Sequence, residues 1–198
     1  GLDSASKVWN ACGLRVGALV TDNEELHRRA VVESTANLCA NAIGQWIYGA
    51  LAHLSRDELQ AWYASQRAYY GPLLKRMTRE LGRALPGLIV SSPDAAIYSV
   101  VDVRQVAGAG FDALDFVMYC AREGAVTVGG ERLTLLVAPM AGFYRETGDP
   151  NPGRTQMRIA YVGAPEELDR VPGLLAELLR AYEARRTATP RSVSAGTG

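Results

Sequence analysis

Four side chains near the start of this chain carry groups that could act together on one small molecule. Ser4-Ala5-Ser6-Lys7 is followed, past Gly13-Leu14, by Arg15-Val16-Gly17. Of 21 basic residues only Lys7 and Lys75 are lysines. Arginine is thus the generic positive charge here, and a lysine kept in a small-residue turn stands out. A primary amine can condense with an aldehyde to a Schiff base, which a guanidinium cannot do. Arg15, eight positions on, can grip a phosphate through paired N–H bonds. The hydroxyls of Ser4 and Ser6 can donate to the same group. The alternative is a surface lysine in a loop, with Arg15 on a solvated strand. A fifth candidate, Arg158, sits in Gln156-Met157-Arg158-Ile159-Ala160-Tyr161-Val162. Alternation there puts Met157, Ile159 and Tyr161 on one face and Arg158 and Ala160 on the other. An arginine within an apolar strand needs an anion, either an internal Asp or Glu or the carboxylate of a ligand.

The segment S-A-S-K-x7-R-V-G resembles the lysine motif of the fold-type I pyridoxal-phosphate enzymes, the class I/II aminotransferases in particular. The resemblance implies that Lys7 forms the Schiff base with pyridoxal 5'-phosphate and moves the proton during catalysis. It also implies that Ser4, Ser6 and Arg15 hold the cofactor phosphate. The stretch around Arg158, followed by Pro165-Glu166-Glu167-Leu168, resembles the family's R-I-x-Y/F strand. That match implies that Arg158 binds the α-carboxylate of an amino-acid substrate. The likeness extends from residue 2 to about residue 184.

Two departures bear on subfamily. A family segment of the form G-V-x-V-x-P-G-x-x-F starts here at Gly124-Ala125-Val126-Thr127-Val128 and finishes at Pro139 to Tyr144. Residues 129–137 are extra and read as an added hairpin strand. Phe143 and Tyr144 either face the substrate or are core aromatics. Dicarboxylate-specific relatives use a second arginine beyond the lysine, and residues 33–41 contain none. An aspartate-like substrate is therefore not supported.

The elements that must position these residues follow an α/β pattern. Leu14 to Thr21 reads as a buried strand, and Asp22 or Asn23 as the cap of a helix to about Val32. Ala40 to Leu54 reads as an apolar helix. Ser55 to Glu58 opens a long helix toward Leu85, which Pro72 should kink or break. Strands follow at Leu88 to Ser91 and Ala96 to Val103. Next comes an amphipathic helix, Phe111 to Glu123, then short strands at Ala125 to Val128 and Leu133 to Val137. Ala138 to Arg154 reads as an irregular loop. Arg158 to Val162 reads as a strand, and Pro165 to Arg186 as a helix with Leu168, Val171, Leu174, Leu175, Leu178 and Leu179 on one side.

The resemblance implies the C-terminal part of a fold-type I aminotransferase: a remnant of the large-domain sheet over residues 1–55, then a connecting helix and small α/β domain over 56–186. Residues 187–198, rich in Ser, Thr, Gly and Arg, read as a disordered tail. The family's larger N-terminal half is then expected outside these 198 residues, with Trp46, Ile47 and Leu51 left on an open apolar face. The activity implied is amino transfer between an α-amino acid and a 2-oxo acid, within a complete enzyme that includes the N-terminal half or a homodimer partner. The same residues would serve decarboxylation or β-elimination, since the cofactor carries the electron sink. A non-catalytic remnant acting as an interaction module is the alternative from another class.

Composition narrows the field. With 21 basic and 21 acidic side chains, nothing in the charge favours nucleic acid or an acidic membrane surface. No apolar run approaches the roughly 18 residues of a membrane span. Cys12, Cys39 and Cys120 are an odd number without C-x-x-C spacing, which reads as free, buried thiols in a reducing cytoplasm. His27 and His53 lie far apart, so no metal is expected.

Overall fold

The computed structural model describes residues 1–37, 41–145 and 151–188. Two compact units divide the chain, 1–67 and 68–198. The boundary expected near residue 56 falls at the start of a helix that continues through both ranges.

In the first unit, β1 (Leu2–Ser4) pairs antiparallel with β2 (Gly17–Leu19), placing Ser4 opposite Gly17. Between them run the short helix α1 (Ala5–Val8) and a 3₁₀ turn, Cys12–Leu14. The buried strand expected over Leu14 to Thr21 is instead three exposed residues. Leu14 closes the 3₁₀ turn, Arg15 takes a left-handed backbone with φ of 53°, and a two-stranded ribbon leaves side chains open. Cys12 is likewise exposed because it starts that turn. Helix α2 (Glu24–Asn37) begins where expected: the Asn23 side chain accepts from the Leu26 N–H at 2.8 Å, satisfying one of the free donors of a helix start. Helix α3 (Ala42–Gly49) is capped by Asn41 and passes into a 3₁₀ turn, Ala50–His53. Part of the helix expected from Ala40, together with Cys39, lies outside the described residues. Among described residues of this unit only Ala5 and Gly44 are buried, while Trp46 is 85% exposed.

Helix α4 (Arg56–Ala84) opens with a reciprocal cap. The Ser55 N–H and hydroxyl both donate to Glu58 Oε2 at 2.8 Å, and the Glu58 N–H returns to the Ser55 hydroxyl. Pro72 lies inside α4 without ending it. The preceding residue is Gly71, which has no Cβ to collide with the proline ring.

The second unit is built on a four-stranded antiparallel sheet. Its strands are β3 (Ile89–Val90), β4 (Tyr98–Asp102), β7 (Ala138–Pro139) and β8 (Gln156–Ala160), in the order β3-β4-β8-β7. Helix α5 (Ala113–Arg122), capped by Asp112, follows β4. The added hairpin is present, but its second strand is not the one expected over Leu133 to Val137: β5 (Val126–Val128) pairs with β6 (Glu131–Leu133) across Gly129-Gly130, and residues 134–137 are not in a strand. The segment read as an irregular loop holds β7 and 3₁₀ turns at Ala141–Phe143 and Pro152–Thr155; its residues 146–150 lie outside the described ones. Helices α6 (Pro165–Leu168) and α7 (Val171–Ala188) close the unit. Thr187 and Ala188, assigned by sequence to the tail, are the last residues of α7, and the remaining tail lies outside the described residues.

One core joins these elements. Alternation along β8 buries Met157 and Ile159 and continues to Tyr161 just past its end, and all six apolar positions expected on α6 and α7 are buried with them. Leu81 of α4 and Phe116 of α5 fill the same core. Phe116 packs against Phe111 and Tyr182, with ring centroids 5.9 and 5.4 Å away. Among the described residues no helix is long and apolar enough to cross a membrane. Phe116→Ala is expected to destabilise the second unit by about 3–5 kcal/mol, read as a lower denaturant midpoint with unchanged slope.

Candidate functional site

Ser4, Ser6, Lys7 and Arg15 all lie on the β1–β2 hairpin. The Ala5 N–H donates to the Val16 carbonyl at 3.0 Å, tying the turn that carries the lysine to the residue after Arg15. The Ser4 hydroxyl caps α1, accepting from the Ser6 N–H at 3.2 Å. Lys7 then falls in the last turn of α1 and is exposed. Arg15 is exposed too, and its guanidinium donates to the Cys12 carbonyl at 3.2 Å.

The loop between Lys7 and Arg15 is held in a particular shape. Asn10 and Arg15 both take positive φ, 52° and 53°. Asparagine tolerates that region, whereas an arginine there is held by its surroundings. Those surroundings are visible: the Asn41 side-chain amide donates to the Leu14 carbonyl at 2.9 Å. A Cβ on Gly44 would meet that same carbonyl at 2.2 Å. Only glycine lets the start of α3 come this close to the residue before Arg15. The loop's other side is aromatic. Trp9 stacks on Trp62, centroids 6.2 Å apart and nearly parallel, and contacts Tyr63 at 5.5 Å. An apolar cavity of about 320 Å³ opens there between Trp9, Leu14, Ile47 and Trp62.

Arg158 belongs to the second unit and has a different environment. It is half-buried on β8, flanked across the sheet by Val100 on β4 and Ala138 on β7. Its Cζ lies over two rings, 4.4 Å from the Tyr98 centroid and 5.1 Å from that of Phe143. Among the described residues no carboxylate forms an ion pair with it. Of the two anions its sequence context allowed, the internal Asp or Glu is thus not found there.

Beside Arg158 on the same sheet face is a polar chain that the sequence analysis missed. Asp102 is buried, 3% exposed. Its Oδ2 accepts from Arg104 Nε at 2.8 Å, from Arg104 Nη2, and from Gln156 Nε2 at 3.0 Å. Gln156 Oε1 in turn accepts from the Tyr144 hydroxyl at 2.6 Å. Burial pushes the Asp102 carboxyl up. Hydrogen bonds from the Arg104 side chain, Gln156, the Arg104 backbone and Thr155 together outweigh this and hold it below the usual carboxylate value. An aspartate ending an apolar strand and followed two residues on by arginine was the available signal. Burial also raises the Cys120 thiol to about 11, which leaves it unreactive at neutral pH.

The sequence model of the family described as aminotransferase class I and II matches residues 2–171. Among curated proteins none matches the chain in sequence. Solved structures with the same fold include the kynurenine aminotransferase of Pyrococcus horikoshii. It is 19% identical with a TM-score of 0.66, over 91% of this chain and 40% of that one. The α-aminoadipate aminotransferase of Thermus thermophilus is 18% identical at 0.65, over 88% and 40%. An aminotransferase from Staphylococcus aureus is 23% identical at 0.63, over 92% and 42%. The chain spans about two fifths of the length of these proteins, and its α/β fold is that of part of a fold-type I aminotransferase.

Asp102 makes the second unit acid-sensitive. Its folded pKa is depressed, so its stabilisation is complete above the unfolded value of about 3.9 and is lost as pH falls below that through the folded value. Arg104 is half-exposed, so screening leaves the ion pair itself a small share. Asp102→Asn is expected to cost about 1–3 kcal/mol at pH 7, mainly through mispaired donors. The gap from the unsubstituted protein should close in thermal melts below about pH 4.

Proposed function

The chain belongs to the class I and II aminotransferase family, and from that premise we propose that it serves pyridoxal-phosphate-dependent transfer of an amino group between an α-amino acid and a 2-oxo acid, as part of a complete enzyme. The observation that carries this reading is the hairpin. The β1–β2 pairing and the Ala5–Val16 bond close the backbone segment that carries Ser4, Ser6, Lys7 and Arg15, and that donor set suits an aldehyde that also bears a phosphate. When bound, the cofactor supplies an electron sink for charge developing at the substrate's α-carbon.

The chain's own residues take the remaining tasks. Arg15 offers the planar fork that matches two phosphate oxygens, and its left-handed backbone is fixed by the contacts of Asn41 and Gly44 with Leu14. Ser4 and Ser6 add neutral donors. Lys7 Nζ would hold the cofactor's aldehyde carbon and would accept and return a proton at the substrate's α-carbon. Arg158 binds the substrate carboxylate through paired N–H bonds, a role supported by its lack of an ion-pair partner among the described residues. The family fold's N-terminal half, or a second copy of the chain, completes the site.

The sequence supplies an internal control, because Lys75 is the other lysine. Borohydride reduction after addition of pyridoxal phosphate should fix the label on Lys7 well above Lys75, as read by peptide mass spectrometry. Arg15→Ala should lower labelling of Lys7 and leave Lys75 unchanged. Equal labelling of both lysines, indifferent to Arg15, would count against the assignment. In the complete enzyme, Arg158→Lys should raise the amino-acid KM by about tenfold or more with a smaller effect on kcat, since the fork is lost. An unchanged KM would remove Arg158 from the substrate site.

A further inference from the structure

Resting on the assignment of Arg158 to a substrate carboxylate, we propose that Tyr98 and Phe143 are positioning residues that fix the Arg158 guanidinium, and that the Asp102–Gln156–Tyr144 hydrogen-bond chain holds Phe143 in place to do so. The rings reach Arg158 from opposite sides of β8. Tyr98 stands on β4, diagonally across the pairing from Arg158, since Tyr98 faces Ala160 and Val100 faces Arg158. Diagonal neighbours on one face lie within reach of aromatic and long side chains. Phe143 comes from the 3₁₀ turn just beyond β7, the strand on the other flank.

Phe143 is 60% exposed, so burial does not explain its place. What it gains there is the face-on contact with a cation. Its backbone is anchored on both sides. The Met140 N–H donates to the Gln156 carbonyl at 3.0 Å, and the Asn151 amide donates to the Ala141 carbonyl at 2.9 Å. A Cβ on Gly153 would stand 2.6 Å from the backbone of Met140 and Ala141, so this second turn packs directly on the first. On the far side the Tyr144 hydroxyl is pinned to Gln156, and Gln156 to buried Asp102. The turn therefore cannot swing away from β8 without breaking several of these contacts.

The consequence is chemical. Arginine side chains carry large rotamer entropy, and a guanidinium already ordered loses less on binding. Ring contacts at Cζ use none of the guanidinium's N–H donors, which stay available to a ligand. An acceptor with two coplanar oxygens, a carboxylate, matches that edge.

The test uses the 198-residue chain labelled with ¹⁵N-arginine. The Arg158 Nε–Hε resonance is the signal that disappears in Arg158→Lys. In the unsubstituted protein it should be ring-current shifted and should move further on titration with propionate. Phe143→Leu should remove Phe143's part of the ring-current shift, leaving that of Tyr98, and weaken propionate binding about fivefold, while Phe143→Tyr restores both to within about twofold. Tyr144→Phe, which keeps the ring of residue 144 but releases Gln156, should give an intermediate loss. If Phe143→Leu leaves shift and affinity unchanged while propionate still binds, the positioning role is wrong and the carboxylate assignment stands. If Arg158 is ring-current shifted but ignores propionate, both the carboxylate assignment and the positioning role built on it fall.

Discussion

The pairing of β4 with β8 is the constraint on which the second unit depends. Five residue pairs, from Tyr98 opposite Ala160 to Asp102 opposite Gln156, fix the register. On one face this brings Val101, Met157 and Ile159 into the core beside Tyr161, whose hydroxyl donates to buried Ser99 at 2.7 Å. On the other it lines up Tyr98, Arg158, Gln156 and Asp102. A slip of one residue would turn Met157 and Ile159 outward and Arg158 into the core, at a cost no hydrogen bond there could offset. The hydrophobic effect thus sets the position of the polar groups. Once Met157 and Ile159 are buried, the direction of Arg158 follows.

The first unit works by other means. It buries only Ala5 and Gly44 among its described residues, so, apart from the packing of Trp9 on Trp62 and Tyr63, apolar burial does little to shape the loop from Lys7 to Arg15. Local hydrogen bonds and close backbone approach do this instead: the Ser4 cap, the Ala5–Val16 bond, and the amide of Asn41 and Cβ-less Gly44 against the Leu14 carbonyl. Of the open apolar face expected at Trp46, Ile47 and Leu51, Trp46 is 85% exposed and Ile47 is exposed, whereas Leu51 is half-buried. A patch of that kind suits contact with further protein, and the chain spans about two fifths of the relatives whose fold it shares.

How much of this could be read from the sequence follows from what periodicity can sense. Alternation around Arg158 and the 3.6-residue spacing of Leu168, Val171, Leu174, Leu175, Leu178 and Leu179 report burial, and those positions are buried. The Ser55–Glu58 cap is a local signal and was equally visible. Periodicity is blind to backbone sign, so the run from Leu14 to Thr21 looked like one strand although Arg15 is left-handed. It is also blind to partners distant in sequence. Tyr98 and Phe143 come from segments far from Arg158, and only the sheet order brings them together. For Phe143 and Tyr144 the sequence allows either a core or a substrate-facing place. The fold settles that Phe143 lies over a cation and Tyr144 hydrogen-bonds Gln156.

The proposed function requires the β1–β2 hairpin to be a combined amine and phosphate site. The most direct measurement is a crystal structure of the chain grown with pyridoxal phosphate. It should show density continuous with Lys7 Nζ and the phosphate against Arg15 and the Ser4 and Ser6 hydroxyls. A cofactor joined to Lys75, or a phosphate bound away from Arg15, would contradict it.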